Sequence, residues 1–187
     1  MSLPTRPSQA LRSTQVGRGD ALHESRCRRC GVSCQVAVPV GDRTVVVPGM
    51  HCEFLTEPAP GLFECSVYDD RFAAAPWCHH ADVAGPLGYL AQDCPYGTPD
   101  RGKVRVEPSE LNRLWPLIWR SIRSWGVPSF LHQGDFLAML EARQGRAYRL
   151  EPMYPIAVPE PDEPLRHSGQ PTDPRMVQLR VLPADAA

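Results

Sequence analysis

The chain has almost no net charge and no long hydrophobic run. Its 20 basic and 21 acidic residues give a formal net charge of −1. Its apolar segments fall far short of the roughly 20 residues that a membrane-spanning helix needs. Bulk electrostatic binding to nucleic acid and a transmembrane helix are therefore both disfavoured. Residues 1–20 contain no apolar signal-peptide core, so the sequence predicts a cytoplasmic protein.

Motifs of common enzyme classes are missing as well. The sequence has no glycine-rich nucleotide loop, no CxxxCxxC radical motif and no recognisable Ser/His/Asp hydrolase motif. Cysteine is absent outside residues 27–94, and all seven cysteines lie within them. An odd number of cysteines without a secretion signal argues against a disulfide framework. Most of the seven adjoin polar or turn residues, whereas buried free thiols are expected singly inside apolar runs.

The spacing of the cysteines, in contrast to these missing motifs, gives a positive signal, because it predicts a metal centre. Cys27 and Cys30 are separated by two residues, so one tight turn can aim both sulfurs at a single ion. Gly31 suits such a turn because it takes positive φ at little steric cost. Seven cysteines and one histidine make eight donors, enough for two closed four-coordinate sites. The predicted ligands are Cys27, Cys30, Cys34, Cys52, Cys65, Cys78 and Cys94, together with one or at most two of the histidines His51, His79 and His80.

Arginines lie close to several of these cysteines. Arg26, Arg28, Arg29 and Arg71 could offset thiolate charge or donate hydrogen bonds to sulfur. For Arg28 and Arg29 a solvated surface position is an equally good interpretation. Zinc is the first expectation for the metal, and iron or an iron–sulfur cluster is the alternative, because thiolates at varied spacings serve either.

The predicted fold is small α+β: a cysteine-rich, loop-rich region with a short β-hairpin, stabilised by metal and packed against two C-terminal helices. The domain is expected at residues 23–154, with its metal region at 27–94 and its helical part at 109–145. Residues 1–22 and 155–187 are expected to be disordered termini, the second being rich in proline and acidic residues.

Individual elements follow from periodicity and turn residues. Two short strands at 36–40 and 44–47 form the hairpin, with Pro39 confined to an edge or a bulge. Apolar residues at spacings of three and four predict an amphipathic helix over 109–125 that is regular from Asn112, and its Trp115, Trp119 and Trp125 are expected to pack against the metal region. A second helix is predicted over 135–143 with Asp135 as N-cap, followed by a final strand at 148–154.

The cysteine-bearing segments resemble the YkgJ-type cysteine-cluster family, described as zinc- or iron-chelating domains. The resemblance is carried by Cys27-x-x-Cys30-Gly31-x-Ser33-Cys34, by Cys52-Glu-Phe-Leu55, and by Cys65-Ser-Val-Tyr68-Asp-Asp-Arg71 with Cys78. Two departures stand out. Ser33 replaces the first cysteine of the family's adjacent pair, and the segment from Arg71 to Cys78 is longer than the family's. A histidine such as His51 or His79 is the candidate replacement donor.

The resemblance implies metal chelation, and three functions are compatible with it. The first is a metal-stabilised interaction or accessory protein with a protein partner, and it is preferred over an enzyme. The second is an iron–sulfur protein or a subunit of a redox or modification enzyme, since the cysteine cluster also resembles those of flagellin lysine methylases. The third is an open catalytic metal site in which Ser33, Glu64, Asp69 or Asp70 activates water.

Overall fold

The computed structural model describes residues 26–98, 100–153 and 177–185. These residues form a small α+β fold with eight strands in three sheets and four α-helices. The predicted fold class is therefore confirmed at this level. The flexible tail expected at residues 1–22, and residues 155–176 of the expected C-terminal tail, lie outside the described residues.

The predicted hairpin is present and opens the first sheet. Strands β1 (Gln35–Val40) and β2 (Arg43–His51) pair antiparallel through a turn in which Gly41 has φ 63°. A short strand β5 (Lys103–Val104) pairs parallel with β2 on its other side. Strand β1 is thus an edge strand, as the presence of Pro39 requires.

A second hairpin and two short helices follow. Strands β3 (Leu55–Ala59) and β4 (Leu62–Cys65) form a two-stranded sheet. Helices α1 (Arg71–Ala74) and α2 (Ala81–Ala84) are single turns within the long connection to β5. This connection carries Cys78 and Cys94.

The first long helix, α3, spans Pro108–Trp125 and begins earlier than predicted. The expected regular start at Asn112 is wrong, because Pro108 occupies the first turn, where no intrahelical N–H bond is lost. Pro116 therefore lies inside the helix. Its missing N–H and ring are tolerated since three side chains on one face are buried in the core: Leu111, Ile118 and Ile122.

Helix α4 spans Gln133–Gln144, and its start also differs from the prediction. The N-cap is His132, not Asp135, because the imidazole Nδ1 accepts the Asp135 backbone N–H at 3.2 Å. Gly145 ends the helix with φ 69°, as the sequence predicts. Asp135 is thereby left in the first turn with its carboxylate free to meet other side chains.

The third sheet corrects the expectation of a C-terminal tail. Strands β6 (Val127–Pro128) and β7 (Tyr148–Pro152) both pair antiparallel with β8 (Gln178–Pro183), which lies between them. Residues 178–183 are therefore structured, and β7 is not the final strand. The buried alternate residues Leu179 and Val181 fix β8 against the core, and the surrounding proline-rich composition conceals this alternation.

The main hydrophobic core lies between the sheets and the two long helices. Helix α3 contacts β1 and β8, and α4 contacts β2 and β7. Its buried members are Val38, Val45, Val47, Met50, Leu111, Ile118, Ile122, Val127, Leu131, Phe136, Leu140, Tyr148, Leu179 and Val181. Among the described residues, none of these lies between 51 and 110. The segment that bears Cys65, Cys78 and Cys94 is thus built outside the main core.

The three tryptophans of α3 do not behave alike. Trp115 and Trp119 pack against the main core. Trp125, in contrast, is 74% exposed, so the expectation that it packs against the metal region is wrong. It is the last residue of the helix, and Gly126 turns the chain away directly after it.

No helix in the described part of the chain has both the length and the apolar character needed to cross a bilayer.

Candidate metal centre

Gly31 has the positive φ that the sequence predicts, but the turn itself lies after Cys30 and not between Cys27 and Cys30. Gly31 has φ 70° and precedes a 3₁₀ turn over Val32–Cys34. Its carbonyl accepts the backbone N–H of Cys34 at 3.0 Å and of Gln35 at 3.2 Å. A Cβ atom on Gly31 would lie 2.6 Å from Cγ of Phe63. Glycine is therefore required here both by the backbone conformation and by the close approach of β4.

The first hairpin brings Cys52 back to Cys34. Gln35 pairs with His51 at the open end of the hairpin. The Cys52 backbone N–H then donates to the Cys34 carbonyl at 2.8 Å. Two cysteines that are 18 positions apart in sequence are thus joined by a direct backbone hydrogen bond.

The second hairpin delivers Cys65 to the same place. Cys65 pairs with Leu55, whose N–H donates to the Cys52 carbonyl at 3.0 Å. The Ser66 N–H donates to the Phe54 carbonyl at 2.9 Å. Residues 52–55 therefore form a turn with Cys52 on one side and Cys65 on the other.

A stack of aromatic rings holds Cys78 against this turn. The Trp77 ring lies between two phenylalanine rings, with centroid distances of 6.2 Å to Phe54 and 5.1 Å to Phe130. Both pairs are nearly parallel, at 5° and 13°. Because Cys78 directly follows Trp77, the stack fixes the backbone that carries this fourth cysteine.

These four cysteines lie near enough to influence one another's ionisation. Burial raises the pKa of the Cys34 thiol to about 11, partly offset by the Ser33 hydroxyl. Negative charge on Cys52, Cys78 or Cys65 raises this pKa further. Burial likewise raises the pKa of Cys52 and of Cys78, and the charge of Cys65 raises both further. We call Cys34, Cys52, Cys65 and Cys78 the four-cysteine group.

Several donors around this group favour the thiolate form in which cysteine binds metal. The Phe54 and His79 backbone N–H groups donate to the sulfurs of Cys52 and Cys78 respectively, and each lowers the pKa of its thiol. The Arg71 guanidinium also lowers the pKa of Cys78, which agrees with the expected role of that arginine. N–H bonds to sulfur of this kind surround metal-bound thiolates, so the donor set fits a cation at this position.

The Trp77 indole is a further donor beside the four-cysteine group. Its Nε1 is buried and makes no full hydrogen bond within the described residues. It nevertheless lowers the pKa of Cys52, so its N–H favours the Cys52 thiolate. A buried N–H without a full partner is costly unless negative charge lies close to it.

The other three cysteines lie together at a second position. Cys30 and Cys94 both pack against the small cluster of Val32, Val46 and Ala91. Burial raises the pKa of Tyr96, and the charges of Cys27 and Cys94 raise it further. An ion pair of 3.0 Å joins Arg28 to Asp93, next to Cys27 and Cys94. We call Cys27, Cys30 and Cys94 the three-cysteine group.

The cysteine sulfurs do not form a tight set. Within the described residues, only one group of three or more His, Cys, Asp or Glu side chains has all its ligand atoms within 4.8 Å of one another. That group is His51, His132 and Asp135. A tetrahedral zinc ion with Zn–S bonds of about 2.3 Å needs sulfurs about 3.8 Å apart, so zinc binding requires these side chains to close inward.

The three histidines near the cysteines have different surroundings. His51 turns both ring nitrogens away from sulfur, with Nδ1 at 3.0 Å from the Cys52 carbonyl oxygen and Nε2 at 2.9 Å from Asp135 Oδ2. His79 has a buried Nε2 that makes no hydrogen bond within the described residues. The exposed His80 packs on Phe72 at 4.0 Å. Of these three histidines, only His79 therefore has a buried ring nitrogen that is available to bind a metal ion.

Two cations that the sequence interpretation missed hold the first cysteine turn. The Lys103 ammonium donates to the carbonyls of Val32 at 3.2 Å, Ser33 at 3.0 Å and Gln35 at 2.6 Å. Burial lowers the pKa of Lys103 to about 8, and the Cys34 charge opposes that shift. The Arg105 guanidinium donates to the Cys30 carbonyl. The alternation of basic and apolar residues over 103–106 was the signal that could have placed both cations on one face of a strand.

The other basic residues near the cysteines are surface residues. Arg28 is paired with Asp93, and Arg29 is paired with Glu64, with all four side chains substantially exposed. The solvated interpretation of Arg28 and Arg29 therefore holds. Exposed pairs of this kind contribute little to stability.

Comparison of the chain with protein-family models, with curated proteins and with solved structures finds no match.

Replacing Gly31 with alanine is expected to lower the free energy of unfolding by at least about 2 kcal/mol, through positive φ and the clash with Phe63. Gly41 is a matched control, since its φ of 63° is similar and no atom lies within 4 Å of its missing Cβ. Gly41→Ala is expected to cost only about 1 kcal/mol. Thermal denaturation of both variants measures the difference, and equal losses would show that Phe63 does not constrain the turn.

Proposed function

We propose that this protein binds zinc through its cysteines, and that the metal is structural. The four-cysteine group supplies one closed site. Its support is geometric: backbone hydrogen bonds connect Cys34, Cys52 and Cys65, and the Trp77 stack adds Cys78. Four thiolates with N–H donors around them match the ligand chemistry of structural zinc.

The three-cysteine group supplies three donors of a second zinc site. A tetrahedral ion then has one remaining position. His79 is the candidate eighth donor, because among the three candidate histidines it alone has a buried Nε2 that makes no hydrogen bond within the described residues, although its backbone N–H lies against Cys78 of the other group. The resemblance to the YkgJ-type family supports the same ligand chemistry.

The segment that bears Cys65, Cys78 and Cys94 contributes no buried residue to the main core, and this supports a structural role for the metal. No described residue between 51 and 110 belongs to the buried main core, yet residues 53–98 run through two hairpin strands and two helical turns. Such a segment gains too little from apolar burial to offset its chain entropy. Metal binding stabilises small cores of this kind, since binding and folding are one equilibrium.

The biochemical role that follows is that of a cytoplasmic interaction or accessory protein rather than an autonomous enzyme. A closed thiolate site has no open position for a substrate. The exposed Trp125 and the basic residues along α3 offer a surface to a protein partner.

An iron–sulfur cluster in the four-cysteine group is the second candidate, with a role in electron transfer or as a subunit of a modification enzyme. One observation favours it: the sulfurs are not all within 4.8 Å of one another. A cluster is larger than a single ion, and four cysteines are its usual ligands.

Metal analysis and an absorption spectrum of anaerobically purified protein separate the two candidates. We expect a colourless protein with about two zinc ions per chain. Iron with acid-labile sulfide and visible absorption would establish the second candidate instead. A folded protein with no bound metal would contradict both.

Chelation tests the structural role directly. Removing the metal is expected to abolish hydrogen-exchange protection across residues 53–98, while α3 and α4 stay protected by the main core. Unchanged protection of residues 53–98 in metal-free protein would show that the metal does not hold this segment.

A further inference from the structure

Three metal-ligating side chains outside the cysteine groups lie together where β2 meets α4. His51 is the last residue of β2, His132 caps α4, and Asp135 is in the first turn of that helix. Asp135 Oδ2 lies 2.9 Å from His51 Nε2 and 3.4 Å from His132 Nδ1. One ligand atom from each residue falls within 4.8 Å of the others.

The backbone holds the two histidines side by side. The His132 N–H donates to the His51 carbonyl at 2.8 Å, and the Glu53 N–H donates to the Phe130 carbonyl at 2.9 Å. An isolated bridge between Cys52 and Leu131 lies between these two bonds. The imidazole rings stack at 5.4 Å with an angle of 15°. The arrangement thus depends on paired backbone rather than on mobile loops.

The surroundings of His51 match those of a metal-bound histidine. Its Nδ1 lies 3.0 Å from the Cys52 carbonyl oxygen, to which an Nδ1–H donates. Histidine ligands usually donate their second ring N–H to a carbonyl or carboxylate in this way, which orients the other nitrogen toward the metal. The other nitrogen, Nε2, faces the Asp135 carboxylate oxygen at 2.9 Å. The ring nitrogen and the carboxylate oxygen both carry lone pairs, so at that distance a proton or a metal cation must lie between them.

We propose that His51, His132 and Asp135 form an open site for a divalent transition-metal ion of the zinc and ferrous iron class. Two imidazoles and one carboxylate are the ligand set of catalytic zinc and of non-haem ferrous sites, which keep further positions for water or an added ligand. The His132 and Asp135 side chains are 44% and 57% exposed, so solvent reaches the remaining positions. The site shares no ligand with the cysteine groups and goes beyond the structural role proposed above.

Hydrogen bonding within a helix cap is the competing explanation for the cluster. His132 Nδ1 does accept the Asp135 N–H. A cap, however, needs neither His51 nor a second imidazole stacked on the first. Variants can therefore separate capping from metal binding.

Cobalt titration of the full-length protein, supplied with only enough zinc to fill the cysteine sites, tests the site. We expect one Co²⁺ ion to bind with weak visible absorption and without sulfur-to-metal charge transfer, because its ligands are nitrogen and oxygen. His132→Asn keeps a side-chain oxygen for the cap but removes an imidazole. It is expected to weaken this cobalt binding more than tenfold. Loss of a residue that only orients a ligand already weakens metal binding about tenfold or more, so loss of the ligand itself should weaken it further.

Two further variants and a control complete the test. Asp135→Asn is expected to weaken the same binding event, whereas His80→Ala, which changes a histidine outside the cluster, should leave it unchanged. The melting temperature and the amount of thiolate-bound zinc of His132→Asn should equal those of the original protein. No additional cobalt binding, or equal binding by His132→Asn, would overturn the proposal. Failure of the proposed zinc function would instead appear as absent thiolate-bound metal, whatever the cobalt result.

Discussion

Replacing Cys52 with serine is expected to remove one metal ion and to cost on the order of 5 kcal/mol or more in the free energy of unfolding. Structural zinc contributes about 10–16 kcal/mol in apparent binding free energy, so loss of one of four thiolates is expensive. Cys52 is also buried and hydrogen-bonded to Cys34, which leaves little room for relaxation around the new hydroxyl. Metal content and thermal denaturation of the purified variant measure the two effects.

Double variants test whether the seven cysteines divide into groups of four and three. Cys52→Ser combined with Cys78→Ser should lose no more metal than Cys52→Ser alone, because both residues belong to the four-cysteine group. Cys52→Ser combined with Cys30→Ser should lose a second ion, since Cys30 belongs to the other group. Additive loss in the first pair, or none beyond the single variant in the second, would contradict this division.

The first hairpin and the positive φ of Gly31 could be predicted because their signals are local. Valines on either side of Gly41 give the strands, and glycine after Cys30 gives the positive φ. Residues 46 and 47 of β2 have side chains on opposite faces of the strand, and these two faces contact different parts of the protein. Val47 is buried in the main core, whereas Val46 faces the small cluster beside Cys30 and Cys94. One strand therefore supports both the core and the three-cysteine group.

The helix boundaries and the last strand could not be predicted because tertiary contacts override local preference there. Pro116 disfavours a helix locally, but burial of Ile118 and Ile122 in the core stabilises α3 enough for the helix to continue past this proline. The strand β8 is short and lies beside a proline-rich stretch, so its two buried residues are too weak a signal alone. Its partner β7 ends at Pro152, and 25 residues separate that end from the start of β8 at Gln178.

The division of the cysteines also depends on contacts that spacing does not encode. Cys94 lies 64 residues after Cys30 in the sequence, yet both pack against the cluster of Val32, Val46 and Ala91. Cys34 follows Cys30 by four residues but belongs with Cys52, to which it is hydrogen-bonded. The departure at Ser33 has a physical counterpart too, since its hydroxyl oxygen lies 3.8 Å from the Cys34 sulfur and lowers the pKa of that thiol.

Replacing Trp77 with alanine is expected to cost about 3 kcal/mol in the free energy of unfolding and to weaken metal binding by the four-cysteine group. Removing a tryptophan from a packed position costs about 3–5 kcal/mol, and Trp77 lies between Phe54 and Phe130. Its loss also frees the backbone of Cys78, so the fourth thiolate is no longer preorganised. Chemical denaturation and competition with a chromogenic chelator measure the two effects.

Two matched variants separate packing from the indole N–H. Trp125→Ala removes the same side chain from a site that is 74% exposed, so stability and metal affinity should change little. Trp77→Phe keeps a ring between Phe54 and Phe130 but removes the buried donor that lowers the pKa of Cys52. We expect it to preserve most of the stability, with a loss of about 1 kcal/mol, while metal dissociates faster. A stable Trp77→Ala variant with unchanged metal affinity would show that Cys78 does not depend on the aromatic stack for its position.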